Sequence, residues 1–221
     1  MLENLIRLFA PHTCLGCGVE EDRLLCEGCM ASLPLVPSRC YRCKAVTEDY
    51  AVCTACKPTT PLRQVLVYTH HRDLAKELVH RMKYERAQAG IVEAAEVVHE
   101  LLPALPADSI LTHIPTATRR VRQRGYDHAH ILAANVARKS NLMHKTLLAR
   151  LGQAHQVGSG RTVRLQQIEH AFRVVRPDAV KGKHIVLVDD VLTSGATLET
   201  AARMLRRAGA ARVSAIVFAQ A

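Results

Sequence analysis

The chain has 221 residues, 48% of them apolar, which suits one domain of ordinary size with a small appendage. It has no Trp and few other aromatics, leaving little material for base-stacking platforms, and no stretch approaches the roughly 20 apolar residues of a membrane-spanning helix. The net charge of +10 is uneven: residues 1–60 carry 6 basic and 7 acidic side chains, the remainder 24 and 13. That excess on the larger part points to a polyanionic ligand, to nucleic acid, or to both.

Met1 to Phe9 sets Leu2, Leu5, Ile6 and Phe9 at helical spacing, interrupted by Glu3 and Arg7. The stretch is too short and too charged for a signal peptide. It reads as a small helix packed on the rest, in a cytoplasmic chain with no membrane insertion.

All eight cysteines follow, as four CxxC pairs: Cys14/Cys17, Cys26/Cys29, Cys40/Cys43 and Cys53/Cys56. Each pair sets two thiolates on one tight knuckle, at the bite of a tetrahedral metal, and four knuckles supply two complete four-cysteine zinc sites. These are closed sites that hold a fold. A cytosolic chain disfavours disulfides, and four cysteines per site leave His12 unneeded as a ligand. Sequential pairing of the knuckles gives a double ribbon and is favoured; interleaved pairing gives a cross-brace. So few apolar residues cannot fold the region, so the metal must stabilise it.

Lys57 to Pro61 is a linker, which divides the chain into a ribbon region, 1–60, and a larger domain, 61–221. A strand is expected over Gln64–His70 and a helix over Arg72–Arg86, ending in a basic tip that includes Lys83. A second helix is expected over about Gly90–Leu102, and Ile110–Ile114 is the next strand. Pro115 stops it, and 116–126 reads as a loop in which Arg119, Arg120, Arg122 and Arg124 fall within six residues. Arginine forks bind two phosphate oxygens at once, so these four are candidates for pyrophosphate or nucleic acid. His128–Lys139 reads as a helix and Lys145–Ala149 as a short strand. Arg150–Gln166, with Gly152, Gly158, Gly160, Arg161 and Arg164, reads as a long loop suited to a lid. Phe172–Val175 is a weak edge segment. The remaining histidines are scattered, with no nucleophile–base pair among them.

Ile185–Thr197 organises the rest. Four apolar residues form a buried strand, Asp189 and Asp190 end it, and Thr193-Ser194-Gly195-Ala196-Thr197 leads into a helix. Loop amides and the positive end of the helix dipole make an anion site. Carboxylates repel phosphate, so the acid pair should face sugar hydroxyls of the same ligand. Gly209 ends the helix, and Val213–Phe218 closes the sheet. Alternating strands and helices after residue 62 give a parallel α/β sheet of Rossmann-like kind.

The Ile185–Thr197 stretch resembles the PRPP-binding motif of type I phosphoribosyltransferases. The wider order is similar to the ComF family: paired cysteines, Lys83-Tyr84, Arg119 to Tyr126, then the acid pair near the end. That resemblance covers nearly the whole chain. It implies a double zinc ribbon followed by a phosphoribosyltransferase-type domain, in a family linked to uptake of transforming DNA by competent bacteria. It assigns Asp189 and Asp190 to the ribose hydroxyls of PRPP and Thr193, Ser194, Gly195, Ala196 and Thr197 to its 5-phosphate. The turn Pro115–Arg119 falls where such folds bind pyrophosphate, Arg120 and Lys83 are further phosphate-binding candidates, and Mg²⁺ is expected with PRPP. Two patterns differ from the family. Arg124-Gly125-Tyr126-Asp127-His128 stands for the usual Arg-Gly-Phe-Asn-Gln, and Arg164-Leu165-Gln166-Gln167 for Arg-x-x-Asn; both bear on turnover more than on binding. Three readings stay open. One is a PRPP-binding protein that contacts single-stranded DNA through Arg119, Arg120, Arg122, Arg124, Arg161 and Arg164 and meets competence-machinery proteins. Another is an active phosphoribosyltransferase with an unidentified acceptor. The third is a zinc-ribbon scaffold with a vestigial site.

Overall fold

The computed structural model describes residues 12–84, 88–151 and 171–221. The expected Met1–Phe9 helix, Arg161, Arg164 and nearly all of the expected lid lie outside the described residues. In the cysteine region β1 (His12–Thr13) pairs antiparallel with β2 (Glu20–Glu21), and α1 (Glu27–Ala31) follows. Next come β3 (Val65–His70), α2 (Asp73–Tyr84), α3 (Gln88–Glu100), β4 (Ile110–His113), α4 (Thr118–Arg124) and α5 (His128–Lys139). Then follow β5 (Met143–His144), β6 (Leu148–Arg150), β7 (Phe172–Val174), α6 (Pro177–Val180), β8 (His184–Leu192), α7 (Ala196–Arg207) and β9 (Arg212–Gln220). Among the described residues no helix is long and apolar enough to cross a membrane.

The main sheet has five strands in the order β3-β9-β8-β4-β5, and every pair is parallel. Strands buried on both faces need apolar residues on both, and β8 shows how they divide. Ile185 and Leu187 join the cluster that contains Leu198, Ala201 and Leu205 of α7. Val186 and Val188 point the other way, into the cluster with Leu78 and Met82 of α2, Ile91 of α3 and Leu132 of α5. On α2 the buried Ala75, Leu78, Val79 and Met82 follow the i, i+3, i+4, i+7 stripe of a helix that packs on one side.

Three sequence expectations are corrected. The 116–126 stretch is not all loop: Thr118–Arg124 is α4, ended by Gly125 at φ +85, whose amide bonds to the Val121 carbonyl. The expected Lys145–Ala149 strand is displaced: β6 starts only at Leu148 and pairs antiparallel with β7 in a separate ribbon, whereas the strand that extends the main sheet, β5, ends at His144 before the expected one begins. Leu151 N–H bonds to Ala171 O at 2.9 Å, so the two ends of the intervening segment adjoin. Finally, Val213–Phe218, expected to close the sheet, falls in β9, which lies inside it between β3 and β8.

The cysteine region covers the open edge of β3. Val36 N–H donates to Tyr68 O at 3.0 Å, and Leu35 and Thr69 form an antiparallel bridge. A covered edge offers no template for pairing with another chain. Residues from both sides of the expected boundary at 60/61 share the two hydrophobic clusters.

Candidate functional site

The C-terminal ends of β4 and β8, the end of α2 and the starts of α5 and α7 converge on a cavity of about 250 Å³. Among the sequence candidates it brings together Lys83, Pro115, Arg120, Arg124, Asp189, Asp190 and Thr197. A larger cavity, about 620 Å³, opens at the other end of the sheet beside His184 and Arg212. It is lined by the acids Glu48, Asp49 and Asp108 but by no helix N-terminus and by one arginine only, Arg212, so the smaller one is the site the chemistry favours.

The Thr193–Thr197 loop is built where β8 ends. Gly195 sits at φ +80 at the N-cap of α7, with no side-chain cap hydrogen bond. A Cβ there would also lie 2.9 Å from Cε2 of Tyr41. Glycine is thus required both by the left-handed backbone and by a ring from the Cys40/Cys43 knuckle. Tyr41 is itself pinned: its hydroxyl lies 2.6 Å from Oγ1 of Thr60 and donates to Oε1 of Glu199 at 2.6 Å. Arg42 pairs with the same Glu199 oxygen at 3.3 Å. Thr193 and Ser194 stand exposed on the loop, and Thr197, in the first turn of α7, faces the cavity. Loop and helix start thus keep the geometry of an anion site.

The two acids differ. Asp190 is buried; Lys83 is ion-paired to its Oδ2, and Nε2 of His128 lies 3.5 Å from the same oxygen. Burial alone would raise the Asp190 carboxyl. The His128 hydrogen bond and the Lys83 charge outweigh it and hold the group well below the carboxylate range. Asp189 is pushed the other way, well up, by burial and by the Asp190 charge beside it. Two interacting carboxyls separated like this titrate as a pair: Asp190 carries the negative charge and Asp189 holds its proton the more readily.

The wall opposite is cationic. Thr116 donates its amide and hydroxyl to the Asp127 carboxylate, at 3.1 and 2.8 Å, and Asp127 also caps α5 through the amides of Ala129 and His130. This carboxylate, which replaces the usual Asn of the resembling family, has acceptor sites enough for all four donors. Arg120 lines the cavity, whereas Arg119 and Arg122 are exposed outside it. Arg124 is corrected as a nucleic-acid candidate. It is buried, 3.0 Å from Nδ1 of His128, with its guanidinium over the Tyr84 ring at 4.8 Å, so it turns inward. Arg150 lines the cavity too, a role the sequence reading did not give it. Burial lowers its pKa, with the Arg120 charge adding to the shift and the Asp189 charge opposing it.

The cysteines gather as Cys14, Cys17, Cys26 and Cys29, and as Cys40, Cys43, Cys53 and Cys56; within each group the sulfurs lie within 4.8 Å of one another. This is the sequential arrangement of knuckles. Four thiols at that spacing fit tetrahedral zinc, and backbone amides of Gly16 and Cys26 point at Cys14 Sγ, at 3.4 and 3.3 Å. The Cys14 thiol falls to about 6: burial would raise it, and amide hydrogen bonds outweigh that. One grouping had no signal in sequence. His113, His130 and His144 come together at the β4–β5 edge. Burial pushes His113 and His144 each down to about 4, so both rings are neutral.

Comparison with known proteins agrees with this architecture. Residues 5–57 match the family model of a double zinc ribbon domain, and 147–221 that of a phosphoribosyl transferase domain. With the two cysteine groups, the ribbon match supports two structural zinc sites. The chain is 30% identical over 207 residues to the competence protein ComFC of Bacillus subtilis, covering 87% of this chain and 82% of that protein. It is 29% identical over 202 residues to the DNA utilization protein YhgH of Salmonella typhi, covering 86% and 87%. Among solved structures, the B. subtilis glutamine PRPP amidotransferase aligns with a TM-score of 0.39 at 20% identity, over 61% of this chain and 26% of that one. The chain belongs to the ComF family, a double zinc ribbon joined to a phosphoribosyltransferase-type α/β domain.

Proposed function

We propose that this chain binds PRPP or a closely related phosphosugar with Mg²⁺, and single-stranded DNA on its arginine face, as a cytoplasmic protein serving DNA uptake. The observation that carries the reading is the convergence of the acid pair, the α7 N-terminus and three arginines on one cavity. The amides and hydroxyls of Thr193–Thr197 take the 5-phosphate. Asp189 and Asp190 accept from the ribose hydroxyls, which requires Lys83 to release Asp190 or to share it. The Pro115–Thr116 turn, Arg120 and Arg150 hold the pyrophosphate. Mg²⁺ would neutralise pyrophosphate charge. The relatives' printed names, a competence protein and DNA utilization proteins, favour the DNA role. Arg119 and Arg122, exposed outside the cavity, remain free to meet it.

One feature favours a second reading, turnover of PRPP. Arg120 and Arg150 share the wall where pyrophosphate would leave, and cations there stabilise the charge that develops on it. Pyrophosphate release from PRPP with a panel of amine and base acceptors tests it; release that persists in Asp189→Asn with Asp190→Asn excludes this site as the source.

Two measurements test the main reading. PRPP with Mg²⁺ should raise the unfolding midpoint of the zinc-loaded chain as its concentration passes Kd, and not that of the double Asp variant. Binding of a labelled single-stranded oligonucleotide should weaken with salt at about 0.7 log units per log unit of salt for each phosphate neutralised. Arg119→Ala with Arg122→Ala should flatten that slope by about 1.4; an unchanged slope refutes the arginine face.

A further inference from the structure

His113 stands at the end of β4, His144 at the end of the adjacent β5, and His130 in the first turn of α5, which packs over both. The ring centroids lie 4.9, 5.6 and 4.8 Å apart for the pairs 113–130, 113–144 and 130–144. One nitrogen from each ring lies within 4.8 Å of those of the other two. Nδ1 of His113 and Nε2 of His144 are 3.4 Å apart. A tetrahedral ion with metal–nitrogen bonds of about 2.0–2.1 Å needs its ligand nitrogens about 3.3 Å apart. The 113–144 pair is thus at the bite already. His130 is exposed, so its ring can close the remaining ångström or so without displacing a neighbour.

Among the described residues no hydrogen bond ties any of the three rings to a group outside the trio. His113 is buried and His144 half-buried, and the one hydrogen bond that either ring makes here joins them to each other. A cation at the centre gives one lone pair from each ring a partner.

We propose that His113, His130 and His144 form a third metal site, separate from the two cysteine clusters, for Zn²⁺ or a similar borderline divalent ion. Three imidazoles with neither thiolate nor carboxylate suit Zn²⁺, Co²⁺, Ni²⁺ or Cu²⁺ rather than Mg²⁺ or Ca²⁺. Three protein ligands leave a fourth position open, on the solvent side where His130 lies. The site also has a lever on the cavity. The first turn of α5 carries His130, His128 beside Asp190, and the Asp127 cap that holds Thr116. An ion joining α5 to the β4–β5 edge fixes that turn. The site's existence does not depend on which phosphosugar, if any, the cavity takes.

The test is a Co²⁺ titration of the full chain with both cysteine clusters zinc-loaded, read by visible absorption. One equivalent should give ligand-field bands without the near-ultraviolet charge-transfer band of cobalt–thiolate bonds. His130→Ala, at an exposed position that leaves the core intact, and His144→Gln should each weaken binding at least about tenfold and remove the bands, while both zinc equivalents stay in place. No ligand-field band, a band accompanied by thiolate charge transfer, or equal binding by wild type and both variants would overturn the proposal.

Discussion

The two cysteine clusters have the same ligands and near-identical knuckles, yet they brace different parts of the molecule. The first lies against the helical face. The amides of Leu24 and Leu25 donate to the two oxygens of Glu93 on α3, at 2.7 and 3.0 Å, and Arg23 pairs with Glu96 of the same helix. A Cβ on Gly90, in α3, would lie 2.9 Å from both Leu24 Cδ1 and Leu78 Cδ1. The second cluster reaches the Thr193–Thr197 loop, through Tyr41 against Gly195 and through Tyr41 and Arg42 on Glu199. A structural metal contributes folding free energy wherever it binds; what else it governs depends on what its knuckle touches. By this comparison the first cluster supports stability and the second both stability and the anion site.

The largest expected effects come from removing each metal in turn. Cys17→Ser and Cys43→Ser, both at exposed positions, should each cost one zinc equivalent by elemental analysis. Phosphosugar affinity should fall at least about tenfold more in Cys43→Ser than in Cys17→Ser, a difference of about 1.4 kcal/mol. Equal losses would break the comparison. Next, Glu93→Ala leaves two buried backbone amides without their carboxylate and should cost about 3 kcal/mol in urea unfolding, with ligand affinity in the folded protein unchanged. Gly195→Ala puts a methyl against the Tyr41 ring at a left-handed residue and should cost about 2 kcal/mol, but here affinity should fall as well. Smallest, Tyr41→Phe removes one hydroxyl shared by Thr60 and Glu199, worth about 1 kcal/mol. It sharpens the comparison: a drop in affinity would show that the hydroxyl, beyond the ring, positions the loop.

The parts of the site that read well in the sequence are local. A strand, two acids, a small-residue loop and a helix start lie within Ile185–Thr197, and four CxxC knuckles declare their ligands by spacing alone. α4 had a signal that charge obscured: Thr118–Arg124 is rich in good helix formers and is followed by Gly125. What pairing across the chain decides was not legible. β9 takes an interior place, and strand order is not written in any one strand. Tyr41 meets Gly195 across 154 positions. Lys83 meets Asp190 because α2 ends over β8, a contact that the basic tip suggested only as charge. His113, His130 and His144 share neither a helical nor a strand period, so only the fold brings them together.

The central claim is that the loop braced by the second cluster holds a phosphosugar together with the acid pair. Calorimetric titration of PRPP with Mg²⁺ into the zinc-loaded full chain tests it most directly, with Asp189→Asn, Asp190→Asn as the comparison protein. One saturating site in the wild type, absent from the double variant, is the expected result. No binding by the wild type, or the same affinity in both proteins, would contradict the account.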